Sequence, residues 1–188
     1  MKEKAEQHNT QKNKQSFILR WVQRHMGTAV LEEKTLGQLT RKILSSILQS
    51  IAMSTLPFPP SFRVMLQRMR GVRIGKNVFI GMRCCLDAVR PDLITLGDDV
   101  SLAGNVTILT HSQPPGPIRV IFRNKLHVTK PVIIKDGAWI AVNTTILPGV
   151  TIGKCAIVSA GSTVKSDVLD FMVVEGVPAQ NTRSIPQK

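Results

Sequence analysis

From Gly71 onward a bulky aliphatic residue recurs every six positions: Ile74, Ile80 and Leu86, then Leu96, Leu102 and Ile108, then Ile134, Ile140, Ile146, Ile152, Val158 and Val164. A second series runs two residues ahead of it, through Val72, Val78, Cys84, Ile94, Val100, Val106, Val132, Ala138, Thr144, Val150, Ala156 and Ser162. A period of six fits neither one long helix nor ordinary hairpins. It fits a solenoid whose coil has three short faces, about eighteen residues in all, so that equivalent side chains of successive coils stack inward. Short polar or glycine-containing corners separate the faces, as in "IGKNV", "LGDDV", "LPGV" and "IGKCA". The phase survives two interruptions, of four residues between Leu86 and Leu96 and of twenty between Ile108 and Ile134. The pattern therefore predicts an all-β, single-stranded parallel β-helix of about four coils over 71–168, with an inserted loop at 112–131 and a C-terminal tail at 169–188.

Upstream the pattern is helical. Residues 1–15 are polar and read as a disordered tail, and 16–70 read as a basic helical extension. Leu36, Leu39, Ile43, Leu44, Ile47, Leu48 and Ile51 fall at three- and four-residue intervals and form one broad apolar face. "PFPPS" at 57–61 ends that helix, because successive prolines remove donors and disfavour helical geometry before them. The segment "SFRVMLQRMRG" follows, basic and interleaved with Phe62, Val64, Met65, Leu66 and Met69. Two roles suit this extension: a cap over the open end of the solenoid, or contact with a membrane surface.

Composition narrows the setting. The net charge is +13, of which residues 1–90 carry sixteen Lys/Arg against five Asp/Glu, and residues 91–188 nine against seven. A basic half suits anionic lipid or acidic polysaccharide, but no aromatic–basic interleaving supports nucleic-acid binding. The three cysteines make neither a disulfide framework nor a zinc site. The polar start lacks an export-type apolar run and no eighteen-residue apolar stretch occurs, so a cytoplasmic protein, free or at the inner face of the membrane, is expected.

The chemistry centres on His111, which closes the last hexad in "ILTH" just before the twenty-residue insertion. A histidine at the end of a rigid coil is held in place, and a neutral imidazole, with an ordinary pKa of about 6.5, suits a general base. His8 falls in the tail, His25 in the extension and His127 within the insertion.

The stretches "GVRIGKNVFIG", "ITLGDDVSLAGNVTILTH", "KPVIIKDGAWIAVNTTILPGVTIGKCAIVSAGSTV" and "VVEGVPAQNTR" resemble the hexapeptide-repeat acyltransferases, in particular the maltose, galactoside and polysaccharide O-acetyltransferases. The resemblance covers roughly residues 70–185 and implies a left-handed β-helix. It further implies acetyl-CoA as acyl donor, a carbohydrate hydroxyl as acceptor, no metal, a homotrimer with sites between subunits, and His111 as the catalytic base. The sugar-acetylating enzymes carry an asparagine one coil ahead of the histidine, where this chain has Cys85, a weaker donor at the acceptor site. Asp87, two residues on, is the candidate to orient the imidazole or bind the acceptor hydroxyl. For the coenzyme the matching positions are Trp139, Ala141, Val142 and Ala160, with Lys165 (displaced by one residue from the family's place) and Arg183 near the phosphates. Arg119 and Arg123 make the insertion basic and are candidates for acceptor contact. The alternatives are an amino-sugar or other small acceptor, and a solenoid that has lost activity and serves a structural or regulatory purpose. A metal-dependent carbonic anhydrase on the same solenoid would need three histidine ligands, and only His111 and His127 fall within the repeat region.

Overall fold

A computed structural model describes residues 36–56, 58–123 and 125–186. The tail expected at 1–15, the helical stretch expected at 16–35, and with them His8 and His25, lie outside the described residues. The chain divides into two compact units, 1–44 and 45–188. Helix α1 (Leu36–Met53) begins in the first and ends in the second. In the first unit the described residues are its opening turns, where Thr40 Oγ1 donates to the Gly37 carbonyl at 3.0 Å. The compact unit that holds the solenoid starts at Ser45 and takes in the end of α1 and all of helix α2 (Pro60–Met69).

Four three-faced coils follow in that second unit. The first holds β1 (Arg73–Ile74), β2 (Phe79–Ile80) and β3 (Cys85–Leu86), and the second β4 (Ile94–Leu96), β5 (Ser101–Leu102) and β6 (Thr107–Ile108). The insertion comes next, with a short antiparallel pair β7 (His111–Ser112) and β8 (Val128–Thr129) and between them helix α3 (Gly116–Ile121). The third coil is β9 (Val132–Ile134), β10 (Trp139–Ile140) and β11 (Thr145–Ile146), and the fourth β12 (Thr151–Ile152), β13 (Ile157–Val158) and β14 (Thr163–Val164). Parallel pairing in register makes three sheets, β1-β4-β9-β12 on the first face, β2-β5-β10-β13 on the second and β3-β6-β11-β14 on the third. The fold is a left-handed β-helix.

The six-residue pattern is the core. Ile74, Leu96, Ile134 and Ile152 stack on one face, Ile80, Leu102, Ile140 and Val158 on the second, and Leu86, Ile108, Ile146 and Val164 on the third. All twelve are buried except Ile74, which stands at the open end of the stack and is half-buried. Ile140 touches neighbours above and below, so Ile140→Ala removes a packed side chain that nothing can replace. We expect it to lower unfolding free energy by about 2–5 kcal/mol, seen as a lower urea midpoint at unchanged slope.

Corners repeat as regularly as faces. The Asp98 carboxylate accepts from Lys76 N–H at 2.7 Å, Asp136 from Asp98 N–H at 2.9 Å, and Asp170 from Lys154 N–H at 2.8 Å, each tying one coil's corner to the next. Gly97 must be glycine for this closeness: a Cβ there would lie 2.2 Å from Asp136 Oδ1 and 2.7 Å from its backbone nitrogen.

One expectation needs correction. Residues 169–188 were read as a tail, but Val173 and Val174 continue the second face in strand β15 (Met172–Gly176), which turns back through β16 (Ala179–Ser184) as a hairpin. The apolar face of α1 is only partly covered: Ile47 and Ile51 are 52% and 38% exposed while Gln49 is only 5% exposed. The helix is rotated so that Leu48 and Ala52 meet Leu66 and Phe62 of α2, and Ser45 and Gln49 face a buried arginine, Arg70, whose guanidinium needs oxygen acceptors.

Candidate active site

Asp87 is the residue after β3, at the exit of the third face of the first coil. Its N–H continues the ladder to the Ile108 carbonyl at 2.9 Å, so its backbone is part of the solenoid. The four-residue interruption begins immediately afterwards, and there the chain turns around the Asp87 side chain. Oδ1 accepts from the N–H groups of Val89 at 2.7 Å and Arg90 at 3.0 Å, a side-chain-to-backbone turn typical of aspartate.

One coil further on, Thr110 and His111 leave β6 at the same corner. Oδ2 of Asp87 accepts from Thr110 N–H at 2.7 Å and Thr110 Oγ1 at 2.8 Å, and lies 2.7 Å from His111 Nδ1. The Thr110 carbonyl in turn accepts from Lys130 N–H at 2.9 Å, and His111 pairs with Thr129 across β7–β8. Both interruptions thus converge on one carboxylate.

The electrostatics follow from that donor set. Burial alone would raise the Asp87 pKa, but hydrogen bonds from Arg90, Thr110 and His111 outweigh it and hold the group at about 2, below the ordinary 3.8. Asp87 is therefore an ionised, acceptor-only partner, only 1% exposed. Facing an ionised carboxylate, Nδ1 is the ring nitrogen of His111 that donates, and in the neutral imidazole this tautomer leaves the lone pair on Nε2. The imidazole is 23% exposed, so that lone pair belongs to a side chain in reach of solvent and small molecules. A buried carboxylate, an oriented imidazole and an accessible ring make a base–orienter pair.

The other sequence-derived candidates fall elsewhere. Cys85 is half-buried in β3, opposite Thr107, and is not among the partners of His111. Trp139 stands 51% exposed on the second face, and Ala141 and Val142 follow it at the corner before the third face. Ala160 lies at the same corner one coil on, where Gly161 N–H donates to the Val142 carbonyl at 2.9 Å. Within one chain this corner and the His111 corner are opposite ends of the third face. Lys165 is exposed just after β14, on the column that begins with Asp87 but three coils away, about 14 Å at the usual strand spacing. Arg183 is exposed on β16, opposite Val173. Arg123 is exposed behind α3 with a left-handed φ of 48°, and the side chain of Arg119 lies outside the described residues. Sequence reasoning missed Thr110, which sits beside His111 and supplies two donors to Asp87 while its hydroxyl also lies 3.2 Å from the Arg90 carbonyl. Among the described residues no three His, Cys, Asp or Glu side chains are grouped as a metal site requires.

Comparison with known proteins matches both halves of the solenoid. The family described as "Bacterial transferase hexapeptide (six repeats)" matches residues 131–166, and "Hexapeptide repeat of succinyl-transferase" matches residues 71–110. Galactoside O-acetyltransferase of Escherichia coli is 32% identical over 114 residues, 61% of this chain and 54% of that protein. The Escherichia coli protein named as a colanic acid biosynthesis acetyltransferase is 32% identical over 133 residues, 63% of this chain and 72% of that protein. The chain spans about half the length of the first curated relatives it matches, 53%, 54% and 57% of them. Among solved structures, a hexapeptide-repeat acetyltransferase of Vibrio cholerae in complex with acetyl coenzyme A has a TM-score of 0.65 and 27% identity, covering 82% of this chain and 92% of that one. No helix among the described residues is long and apolar enough to cross a membrane.

Proposed function

This chain belongs to the hexapeptide-repeat acyltransferases, and from that premise we propose that it is an O-acetyltransferase that moves the acetyl group of acetyl-CoA to a carbohydrate hydroxyl, with His111 as base and Asp87 as its orienting partner. The observation that carries the proposal is the 2.7 Å contact between His111 Nδ1 and the buried Asp87 carboxylate. His111 Nε2 takes the proton of the acceptor hydroxyl as its oxygen attacks the thioester carbonyl, and returns that proton to the departing thiolate. The imidazole ends as it began, and no acyl group rests on the protein. Asp87 keeps the ring in the one tautomer that can act in this direction and offsets the charge of the transient imidazolium.

The acyl donor fits the second-face corner. Exposed Trp139 and Val142 offer an apolar strip, and the small side chains of Ala141 and Ala160 let a flexible arm approach the backbone. Arg183 and Lys165, both exposed, are cations for the phosphates. This corner and His111 are separated within one chain, so the reading includes a homotrimer in which His111 of one copy meets the coenzyme strip of the next. Exposed Phe79, Met82, Trp139 and Val142 on and beside the second face support association there. The basic insertion, with Arg123 exposed, is the proposed acceptor side.

Thiol release from acetyl-CoA, followed with a colourimetric thiol reagent across a panel of mono- and oligosaccharides, tests the proposal. Sugar-dependent release giving a product whose acetyl group is removed by alkaline hydroxylamine is the expected result, because an oxygen ester is labile there and an amide is not. A hydroxylamine-stable product would move the acceptor to an amine, and no release with any sugar would remove the O-acetyltransferase reading.

A further inference from the structure

Across the first coil junction the N–H groups of Gly75, Gly81 and Asp87 donate to the carbonyls of Leu96, Leu102 and Ile108, while the first-coil carbonyls of Lys76 and Met82 accept from the N–H groups of Asp99 and Asn105. The carbonyls of Ile74, Gly75, Leu86 and Asp87 accept instead from side chains at the edge that no coil precedes. A strand edge of this kind needs partners when it is covered. Two arginines at the end of α2 supply them. Arg68 Nη2 donates to the carbonyls of Ile74 at 3.2 Å and Gly75 at 2.7 Å, at the first face. Arg70 Nη1 donates to the Leu86 carbonyl at 2.9 Å, and Nη2 donates to the Asp87 carbonyl at 2.7 Å, at the third.

The two arginines differ in setting. Arg68 is exposed, whereas Arg70 is 4% exposed and its charge meets only neutral oxygens in its hydrogen bonds. Nε donates to Ser45 O at 3.1 Å and Ser45 Oγ at 3.2 Å, and Nη1 donates to Gln67 Oε1 at 2.5 Å and to Gln49 Oε1. Gln67 Nε2 donates to the same Gln49 oxygen at 2.9 Å, so both glutamine side chains are committed to the cluster. Burial pushes the guanidinium pKa down to about 10, which still leaves it charged at neutral pH. A desolvated cation is costly, and its planar fork tolerates little displacement of the oxygens it holds.

We propose that Arg70, held by Gln49, Gln67 and Ser45, is a positioning residue for the acetyl-transfer site: by gripping the Leu86 and Asp87 carbonyls it fixes the backbone from which the Asp87 carboxylate reaches His111. Asp87 is then held at its N–H by Ile108, at its carbonyl by Arg70 and at its carboxylate by four residues. The helical cap is in this way part of the site without touching substrate. The inference rests on the reading of His111 and Asp87 as base and orienter.

Arg70→Lys keeps the charge and loses the fork, and Arg68→Lys makes the same change at an edge away from Asp87. With the full chain, the expected result is a kcat about 10–100-fold lower for Arg70→Lys, with KM for acetyl-CoA within about twofold, and kcat unchanged for Arg68→Lys. The downfield proton resonance of the His111 Nδ1–H bond should broaden or move upfield in Arg70→Lys and stay put in Arg68→Lys. If Arg70→Lys does not fold, Gln67→Met, which removes one acceptor of the guanidinium, carries the test, with a smaller fall in kcat and the same shift of the resonance. Wild-type kcat and resonance in the folded variant, or equal losses in the two lysine variants, would overturn the inference. His111→Ala measured alongside separates the two readings: an active His111→Ala removes the base, whereas an inactive His111→Ala beside a fully active Arg70→Lys removes only the role of Arg70.

Discussion

His111→Ala is expected to lower kcat for acetyl transfer by about 10²–10⁴-fold while leaving KM for acetyl-CoA within a few-fold. The split is expected because the imidazole serves the acceptor hydroxyl, whereas the proposed coenzyme strip is built from other side chains, Trp139, Ala141, Val142 and Ala160. Removing the ring deprives the acceptor hydroxyl of a base and touches the donor site little. Stability should change by only about 1 kcal/mol, since the ring is part-exposed and Asp87 keeps its bonds from Val89, Arg90 and Thr110. A folded His111→Ala with activity near wild type would sink the mechanism. A variant that also loses acetyl-CoA binding would show that the two sites are less separate than one chain suggests.

How much of this was written in the sequence depends on the range of the forces involved. The solenoid was legible because its rule is local and repeated: each aliphatic of the series from Ile80 to Val164 is buried for the same reason, stacking on its equivalent eighteen residues away plus any insertion. His111 was legible because it closes a hexad at a break in the period. Its attachment to Asp87 was open between orienting the ring and binding acceptor, and the 2.7 Å contact supports the first. Thr110 was not legible, since a threonine beside a histidine signals nothing until the corner of the preceding coil is placed against it. Arg70 was less legible still. It reads as one more cation in a basic segment, and only the unpaired carbonyls of Leu86 and Asp87 explain why it is buried. The same requirement shapes α1, where the acceptors Ser45 and Gln49 are turned to Arg70 while Ile47 and Ile51 stay exposed. The C-terminal hairpin escaped because Val174 stacks on Val158 sixteen residues away, where the coils have eighteen.

Asp87→Asn should be nearly as damaging as loss of the base itself, for a reason that a structural residue would not share. All five hydrogen bonds of the Asp87 carboxylate arrive at acceptor oxygens: two N–H groups at Oδ1, and Thr110 N–H, Thr110 Oγ1 and His111 at Oδ2. Asparagine has one acceptor oxygen. If it faces Val89 and Arg90, its amino group faces Thr110 N–H and His111 Nδ1, and the imidazole can satisfy it only by moving its own proton to Nε2. The ring would then present a donor where a base is needed, and kcat should fall on the order of 10³-fold. The pH behaviour separates this from simple misfolding. In the wild type the carboxylate titrates near pH 2 against 3.8 for the ordinary group, so its contribution to stability is complete above about pH 4 and is lost as pH falls from about 4 towards 2. Asp87→Asn should flatten acid unfolding in that window while lowering stability at neutral pH. An Asp87→Asn enzyme with wild-type kcat would show that the carboxylate serves the fold of the corner alone and that His111 needs no orienter.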